Sequence, residues 1–260
     1  MILTKQIVRF GNSAGVVLPR EWLNGIARVQ LVEKPIDIKK DVLEILDYYL
    51  KDVLGVYIAG SYARGEQTKE SDVDILVITS RTNKRIERGR YNIIMIDRDK
   101  LRYAMKKVVL PWVPMIKEAK VLINEDLIEE IRKEVEITKD NVRIIVELAR
   151  SALGVNRAFL NIDKDWPSNV SDSTAYSLIL NIRSLYLIDC LKKNRMWNNR
   201  EFKLIIKRIS GSLKAYEGYL RVKNDDKILE VLPLNEAEKI YKYLESQIEE
   251  AEKWLKGKKY

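Results

Sequence analysis

Histidine is absent from this chain of 260 residues, and cysteine occurs once, at Cys190. The lack of histidine excludes a Ser-His-Asp triad, a Cys-His pair, a zinc site with imidazole ligands and an imidazole general base. A general base must therefore be a carboxylate, a lysine or a tyrosine, and a metal ion must be a hard cation held by oxygen atoms. A single cysteine also excludes a disulfide within the chain, and its setting in LYLIDC predicts a buried core residue.

Long apolar runs are lacking as well. No stretch approaches the roughly 18 consecutive apolar residues that read as a membrane helix, and the first ten residues, MILTKQIVRF, are too polar for a secretory signal. We therefore expect no membrane span and a cytoplasmic location. Because 46% of the residues are hydrophobic and 33% are charged, the chain can bury a core beneath a highly charged surface.

Positive charge exceeds negative charge, with 47 Lys and Arg against 38 Asp and Glu, a formal net charge of +9. This balance favours nucleotides or polyanions as partners. A Lys/Glu-rich surface of the kind found in thermophile proteins would give a similar composition. The two interpretations are compatible, and both stay open.

Hydrophobic periodicity divides the chain into three parts. Residues 1–36 contain β-branched runs separated by turn residues, residues 37–122 mix helix and strand patterns, and residues 123–260 are helical with breakers between the helices. The expected fold class is α+β: a small mixed-sheet core with a β-hairpin segment before it and an α-helical bundle of four to six helices after it. In the middle part we expect helices at 41–54 and 97–108, a charged turn at 82–90, and strands at 55–60, 72–79 and 90–97.

Two aspartates stand at the start of a strand that is otherwise apolar, in the stretch GSYARGEQTKESDVDILVI at residues 60–78. Alternate side chains of a strand share a face, so Asp72 and Asp74 point the same way, about 6.5–7 Å apart along the strand. Two like charges in a half-buried setting repel each other unless a cation binds them. Mg²⁺ is the natural ion, because it takes carboxylates together with substrate phosphates. The simpler alternative is that Asp72 caps the strand and Asp74 forms a surface salt bridge.

The Gly-Ser pair that precedes the aspartates predicts a phosphate-binding turn. Gly60 has no side chain, so its backbone can approach a phosphate closely. Ser61 begins a short helical turn, whose N–H groups and hydroxyl would point at phosphate oxygens. A cation on one side and amide donors on the other would hold a triphosphate for in-line attack.

These features resemble the minimal nucleotidyltransferases of the polymerase-β superfamily, over roughly residues 40–120. The residues that carry the resemblance are Gly60, Ser61, Ala63, Arg64, Gly65, Ser71, Asp72, Asp74 and Val77. The resemblance implies transfer of a nucleoside monophosphate from ATP or another NTP to an acceptor hydroxyl. It also implies two Mg²⁺ ions, for which Mn²⁺ can substitute. Asp72 and Asp74 would bind metal, and Gly60, Ser61 and Arg64 would bind the nucleotide, although a helix-surface salt bridge is an equal alternative for Arg64.

Members of that family often have a third carboxylate on the next strand. The early position of that strand, in RYNIIMID, holds Asn92 instead. Asp97 at the end of the strand is the remaining candidate for a third catalytic carboxylate. If no third carboxylate reaches the pair, we expect the nucleotide-side cation still to bind and the acceptor-side cation to be held weakly.

The helical part resembles, loosely, the C-terminal domain of kanamycin nucleotidyltransferase and the HEPN domains, through residues 172–209 and 213–225. Without histidine, the ribonuclease activity of HEPN proteins is not expected. By analogy with carboxylates of such helical domains, Glu147 is a candidate general base, and a solvated helix face is the simpler interpretation. The acceptor stays open between a small molecule, an RNA and a protein.

The N-terminal stretch KQIVRFGNSAGVVLPREWL resembles the swapped-hairpin DNA-binding domain of AbrB, SpoVT and MazE proteins. The resemblance implies an interleaved homodimer in which Lys5, Arg9, Arg20 and Arg28 face DNA phosphates. It supports an alternative function, an antitoxin-type or transcription regulator whose nucleotidyltransferase domain is degenerate or senses nucleotide. A hairpin that only dimerises is also compatible with the sequence.

Overall fold

The structure is a computed structural model that describes residues 2–32, 36–69, 71–165 and 169–257. The chain forms two compact units, Met1–Asp37 and Ile38–Tyr260. The second unit contains a mixed β-sheet followed by a helical region, which confirms the expected α+β class. No helix in the described residues is both long enough and apolar enough to cross a membrane.

The first unit is a small β-hairpin with extended flanking chain. Strands β1 (Ile7–Phe10) and β2 (Ser13–Val16) pair antiparallel, and Gly11 turns the chain between them with φ of 61°. A short 3-10 helix follows at Arg20–Trp22. None of residues 2–32 is buried, so this unit has no core of its own. Of the β-branched runs noted in residues 1–36, the one at residues 28–32 forms no strand, and residues 33–35 lie outside the described residues.

The sheet of the second unit has five strands in the order β5-β6-β4-β3-β7. The pair β4–β6 is parallel and the other neighbouring strands are antiparallel, which makes the sheet mixed. The strands are β3 (Val53–Ala59), β4 (Val73–Thr79), β5 (Lys84–Arg88), β6 (Tyr91–Asp97) and β7 (Lys120–Ile123). The prediction of a turn at 82–90 is wrong at β5: charged residues dominate this strand because it lies at a sheet edge, where water solvates them.

Strand β4 separates two hydrophobic cores. Val73, Ile75 and Val77 pack into the smaller core, which includes residues of helix α1 (Ile38–Leu46). Leu76 packs from the opposite face into the larger core. The side chains therefore alternate between faces as the sequence pattern indicates. The predicted helix 41–54 is shorter than expected, because a 3-10 helix at Asp47–Asp52 replaces its second half and β3 begins directly after it.

Helices account for most of the remaining chain. They are α2 (Gly60–Arg64), α3 (Arg98–Lys107), α4 (Val109–Glu118), α5 (Glu125–Lys133), α6 (Lys139–Asp165), α7 (Asp172–Lys192), α8 (Asn199–Ser210), α9 (Lys214–Lys223) and α10 (Leu234–Leu255). In the described residues, α5 to α10 are six helices, within the expected range of four to six. The larger core joins Tyr57 and Leu76 of the sheet with Ile240 and Leu244 of α10, so the boundary expected at residues 122 and 123 does not divide this core.

Candidate active site

Strand β3 ends beside the carboxylate of Asp74. Ala59 and Asp74 are opposite each other in the β3–β4 ladder, and Gly60 follows with φ of 66°, a conformation that favours glycine. A Cβ atom added to Gly60 would stand 2.3 Å from Asp74 Oδ2. Only glycine therefore fits at this position, for two independent reasons. The close approach brings the Gly-Ser turn against the carboxylate of Asp74.

Asp74 lies in β4 on the face opposite Val73 and Ile75, and Asp72 directly precedes the strand. Asp72 is exposed and Asp74 is half-buried. Asp74 Oδ1 accepts a hydrogen bond of 2.9 Å from the side-chain amide of Asn92. Within the described residues, Asp74 Oδ2 and both oxygens of Asp72 have no hydrogen-bond or ion-pair partner. The structure thus does not form the surface salt bridge that was the simpler alternative for Asp74.

The open carboxylate oxygens fit a hard divalent cation. Asp72 and Asp74 are the residues that would hold it, with substrate phosphates and water completing its coordination. In the described part of the chain, no group of three or more candidate metal-binding side chains occurs. Within the described residues, this site therefore offers two carboxylates rather than three.

Asn92, and not Asp97, lies beside the aspartate pair. The parallel register of β4 and β6 places Asn92 opposite Asp74 and Asp97 opposite Thr79. Five positions along a strand are about 16 Å. Asp97 Oδ1 instead accepts the backbone N–H groups of Asp99 and Lys100, at 3.1 and 2.9 Å, and so caps α3. The expectation that Asp97 supplies a third catalytic carboxylate is therefore corrected: distance and capping keep it from the pair.

The other side of the Gly60 turn is closed by a buried glutamate. Glu118, the last residue of α4, is 8% exposed. Its Oε1 accepts the Gly60 N–H at 2.7 Å, and its Oε2 accepts from the Arg64 guanidinium and from Trp197 Nε1, the latter at 3.1 Å. Burial raises the pKa of the Glu118 carboxyl, and the charge of Arg64 opposes that rise. Because Glu118 takes the Gly60 N–H, that amide is not available to a phosphate in this arrangement.

Arg64 connects this glutamate to the helical bundle. Its Nε donates to Glu66 Oε2 at 2.8 Å, and Glu66 Oε1 accepts the backbone N–H of Asn199 at 2.8 Å. Asn199 is the first residue of α8, where an unpaired N–H and the helix dipole favour a carboxylate. Burial opposes a higher pKa for Arg64, yet Glu118 and Glu66 together raise it. The arrangement favours the salt-bridge alternative for Arg64, with the difference that the ion pair is buried.

Two further candidates differ in their placement. Ser61 is half-buried in α2, and its hydroxyl has no hydrogen-bond partner among the described residues. Glu147 is exposed on α6 and forms no hydrogen bond or ion pair with a site residue in the described chain. Ser61 therefore lies next to the Gly60 turn, whereas Glu147 forms no bond with a described site residue.

Sequence reasoning missed the contacts that anchor the turn. Glu118 is 58 positions from Gly60, and Asn199 is 133 positions from Glu66. A single sequence gives no local signal for pairs at such separations. The residues that it singled out, Gly60 and Asp74, belong to a short contiguous motif.

The basic residues of the first unit are accessible. Lys5, Arg9, Arg20 and Arg28 are all exposed. Arg9 Nε donates to the carbonyl of Gly11 at 3.1 Å, which orients its guanidinium along the turn of the hairpin.

Residues 38–161 match the family model of the nucleotidyltransferase domain, a range that includes the Gly60 turn and the aspartate pair. No match to the chain is found among curated proteins. Among solved structures, a nucleotidyltransferase-like protein from Exiguobacterium sibiricum 255-15 is 12% identical, with a TM-score of 0.37 over 82% of this chain and 75% of that chain. Spectinomycin adenyltransferase AAD(9) from Enterococcus faecialis, solved with ATP and spectinomycin, is 13% identical, with a TM-score of 0.33 over 81% of this chain and 97% of that chain.

Proposed function

We propose that this protein transfers a nucleoside monophosphate from an NTP, with ATP the first candidate, to an acceptor hydroxyl. The observation that carries the proposal is the packing of Gly60 against Asp74, with a Cβ excluded at 2.3 Å from the carboxylate oxygen. It brings the Gly-Ser turn, which would bind phosphate through Ser61 and the amides after it, next to an open carboxylate oxygen inside a segment that matches the nucleotidyltransferase domain.

The chemistry follows from the residues around this junction. Asp72 and Asp74 would hold Mg²⁺, or Mn²⁺ in its place, and the bound ion would neutralise phosphate charge. The Ser61 hydroxyl and the backbone amides that follow it would donate to phosphate oxygens. The acceptor hydroxyl would lose its proton to solvent as its oxygen attacks the α-phosphorus in line. The bond from that phosphorus to the bridging oxygen would break, and pyrophosphate would leave.

The test uses the full chain and an α-labelled NTP with Mg²⁺. Pools of small molecules, RNA and proteins serve as acceptors, and the measured quantities are transferred label and released pyrophosphate. We expect label transfer with at least one pool, and its loss in the double variant Asp72→Asn, Asp74→Asn. Nucleotide affinity that is equal with and without Mg²⁺, or that the double variant leaves unchanged, would contradict the proposal.

We also propose that residues 2–32 pair with a second copy of this chain. This unit leaves large apolar side chains in water, and a segment of this size cannot bury a core alone. The most exposed of them are Ile2, Phe10, Val17, Leu23, Ile26, Val29 and Val32. Light scattering should give a dimer for the full chain and a monomer for Phe10→Glu. A monomeric wild type at micromolar concentration would refute the pairing.

The exposed basic residues of the same unit support the second candidate function, a DNA-binding regulator. Lys5, Arg9 and Arg20 would contact phosphates, so duplex binding should weaken steeply as salt is raised. The triple alanine variant should have a shallower salt dependence in an electrophoretic shift assay. Tight binding of operator DNA together with no nucleotidyl transfer to any acceptor pool would favour the regulator over the enzyme.

A further inference from the structure

A chain of hydrogen bonds runs from the aspartate pair to the edge of the sheet. Asn92 Nδ2 donates to Asp74 Oδ1 at 2.9 Å, and Arg85 Nε donates to Asn92 Oδ1 at 3.1 Å. The same Nε is 2.9 Å from Glu87 Oε1. Asp74, Asn92 and Glu87 are opposite one another on successive strands, so their side chains share one face of the sheet. Arg85 and Glu87 share that face because they are two positions apart.

The amide of Asn92 cannot do what a carboxylate would do at this position. Its nitrogen is a donor, and it is turned toward Asp74, so it presents hydrogen atoms where a cation would need a lone pair. Its oxygen already accepts from the Arg85 guanidinium. Arginine keeps its positive charge at all working pH values, so a second divalent ion beside Asn92 would be repelled rather than bound.

Arg85 still has donors to offer. Its side chain is 64% exposed, and in the described residues only its Nε forms a hydrogen bond or ion pair. The two terminal nitrogens of the guanidinium carry four further N–H groups, which suit phosphate or a developing alkoxide.

We infer that this site holds a single divalent cation, at Asp72 and Asp74, and that the Asn92–Arg85 pair takes the place of a second one. The inference rests on the proposed nucleotidyl transfer. The Arg85 guanidinium then supplies positive charge on the acceptor side of the α-phosphate, and the metal ion supplies it on the nucleotide side.

The number of bound ions tests the inference without knowledge of the acceptor. The full chain is titrated with Mn²⁺ in the presence of α,β-methylene-ATP, and bound Mn²⁺ is counted by electron paramagnetic resonance. We expect one ion per chain in the wild type and two in Asn92→Asp, where a third carboxylate is introduced. Two ions in the wild type would overturn the inference and leave the proposed function standing. No nucleotide-dependent Mn²⁺ binding in either protein would contradict the proposed function itself.

The guanidinium is tested by a matched pair of arginines on β5. Arg85 faces the site, whereas Arg88 lies on the opposite face, opposite Tyr91 of the smaller core. We expect Arg85→Ala to lower kcat for pyrophosphate release by about 10²-fold, the usual loss for one donor to a developing charge, with one Mn²⁺ still bound. Arg88→Ala should leave kcat, KM and Mn²⁺ binding unchanged. Equal turnover in the two variants, with equal melting temperatures, would overturn the role of Arg85.

Discussion

The Gly60 turn has two sides that use carboxylates in opposite ways. On one side, Asp74 touches the turn, is half-buried and keeps one oxygen without a partner in the described residues. On the other side, Glu118 is buried and accepts three hydrogen bonds, from Gly60, Arg64 and Trp197. A buried charge is tolerated only when it is fully paired. The Glu118 side, where every carboxylate oxygen is hydrogen-bonded, therefore holds the turn in place and is called the closed side. The Asp74 side has an oxygen available for a ligand and is called the open side.

The largest loss of turnover should come from a substitution on the open side. Asp74→Asn removes a charge that would hold a cation, and metal charge stabilisation of several kcal/mol corresponds to a loss of about 10³-fold in turnover. Stability should change by less than about 1 kcal/mol, because Asp74 is half-buried and asparagine keeps a side-chain oxygen that can accept from Asn92. Pyrophosphate release measures the turnover, and urea unfolding measures the stability. A variant that unfolds much more easily than wild type would show that Asp74 is structural.

On the closed side, Glu118→Ala should act mainly on stability. Removal of Glu118 leaves Arg64, whose side chain is 14% exposed, without its buried partner. The expected loss in the free energy of unfolding is about 3–5 kcal/mol. The matched control is Asp140→Ala, which breaks an exposed pair with Arg143 and should change stability by less than about 1 kcal/mol. Equal losses in the two variants would contradict the distinction between the sides.

The bundle contains a second buried carboxylate with its hydrogen bonds satisfied, and the pH dependence of stability tests its role. Asp172 is fully buried and accepts from Arg221 at 2.7 and 2.8 Å and from the N–H of Leu229 at 3.1 Å. The hydrogen bond from Arg221 lowers the pKa of this carboxyl below its ordinary value of 3.8. A lowered pKa stabilises the fold above the ordinary value, and this contribution disappears as the pH falls through the folded-state pKa.

Asp172→Asn should therefore be less stable than wild type near neutral pH by about 1.5–3 kcal/mol, the range for hydrogen bonds to charged groups. The difference should shrink as the pH falls below 3.8. Denaturant unfolding of both proteins between pH 7 and pH 2 measures it. A gap that widens toward acid pH would have the wrong sign and would refute the assignment.

The smallest effect is expected at Asp97, the carboxylate that the sequence suggested as a third site residue. Asparagine caps a helix about as well as aspartate, so Asp97→Asn should leave the capping of α3 and the turnover close to wild type. Turnover reduced as far as in Asp74→Asn would show that Asp97 reaches the reaction after all.

The sequence predicted those parts of the fold that depend on short-range patterns. The Gly60 motif, the alternation of β4 and helices such as α7 and α8 follow from spacings within a few residues. Strand β5 could not be predicted from its composition, because charged residues are typical of edge strands and also of turns. The register of β6 against β4 determines that Asn92, and not Asp97, lies beside Asp74. Register is a property of strand pairing that a single sequence does not encode locally.

The hydrogen bond from the first backbone N–H of α8 to Glu66 ties the segment after the Gly60 turn to the helical bundle. Displacement of the turn would break contacts to residues more than a hundred positions later in the chain. Any ligand that settles on the turn should therefore raise the melting temperature of the sheet and of the helices by the same amount, in one transition. Calorimetry of the chain with and without ligand would then show a single unfolding peak at a higher temperature. Such a peak would mean that a ligand at the turn stabilises the sheet and the helices together.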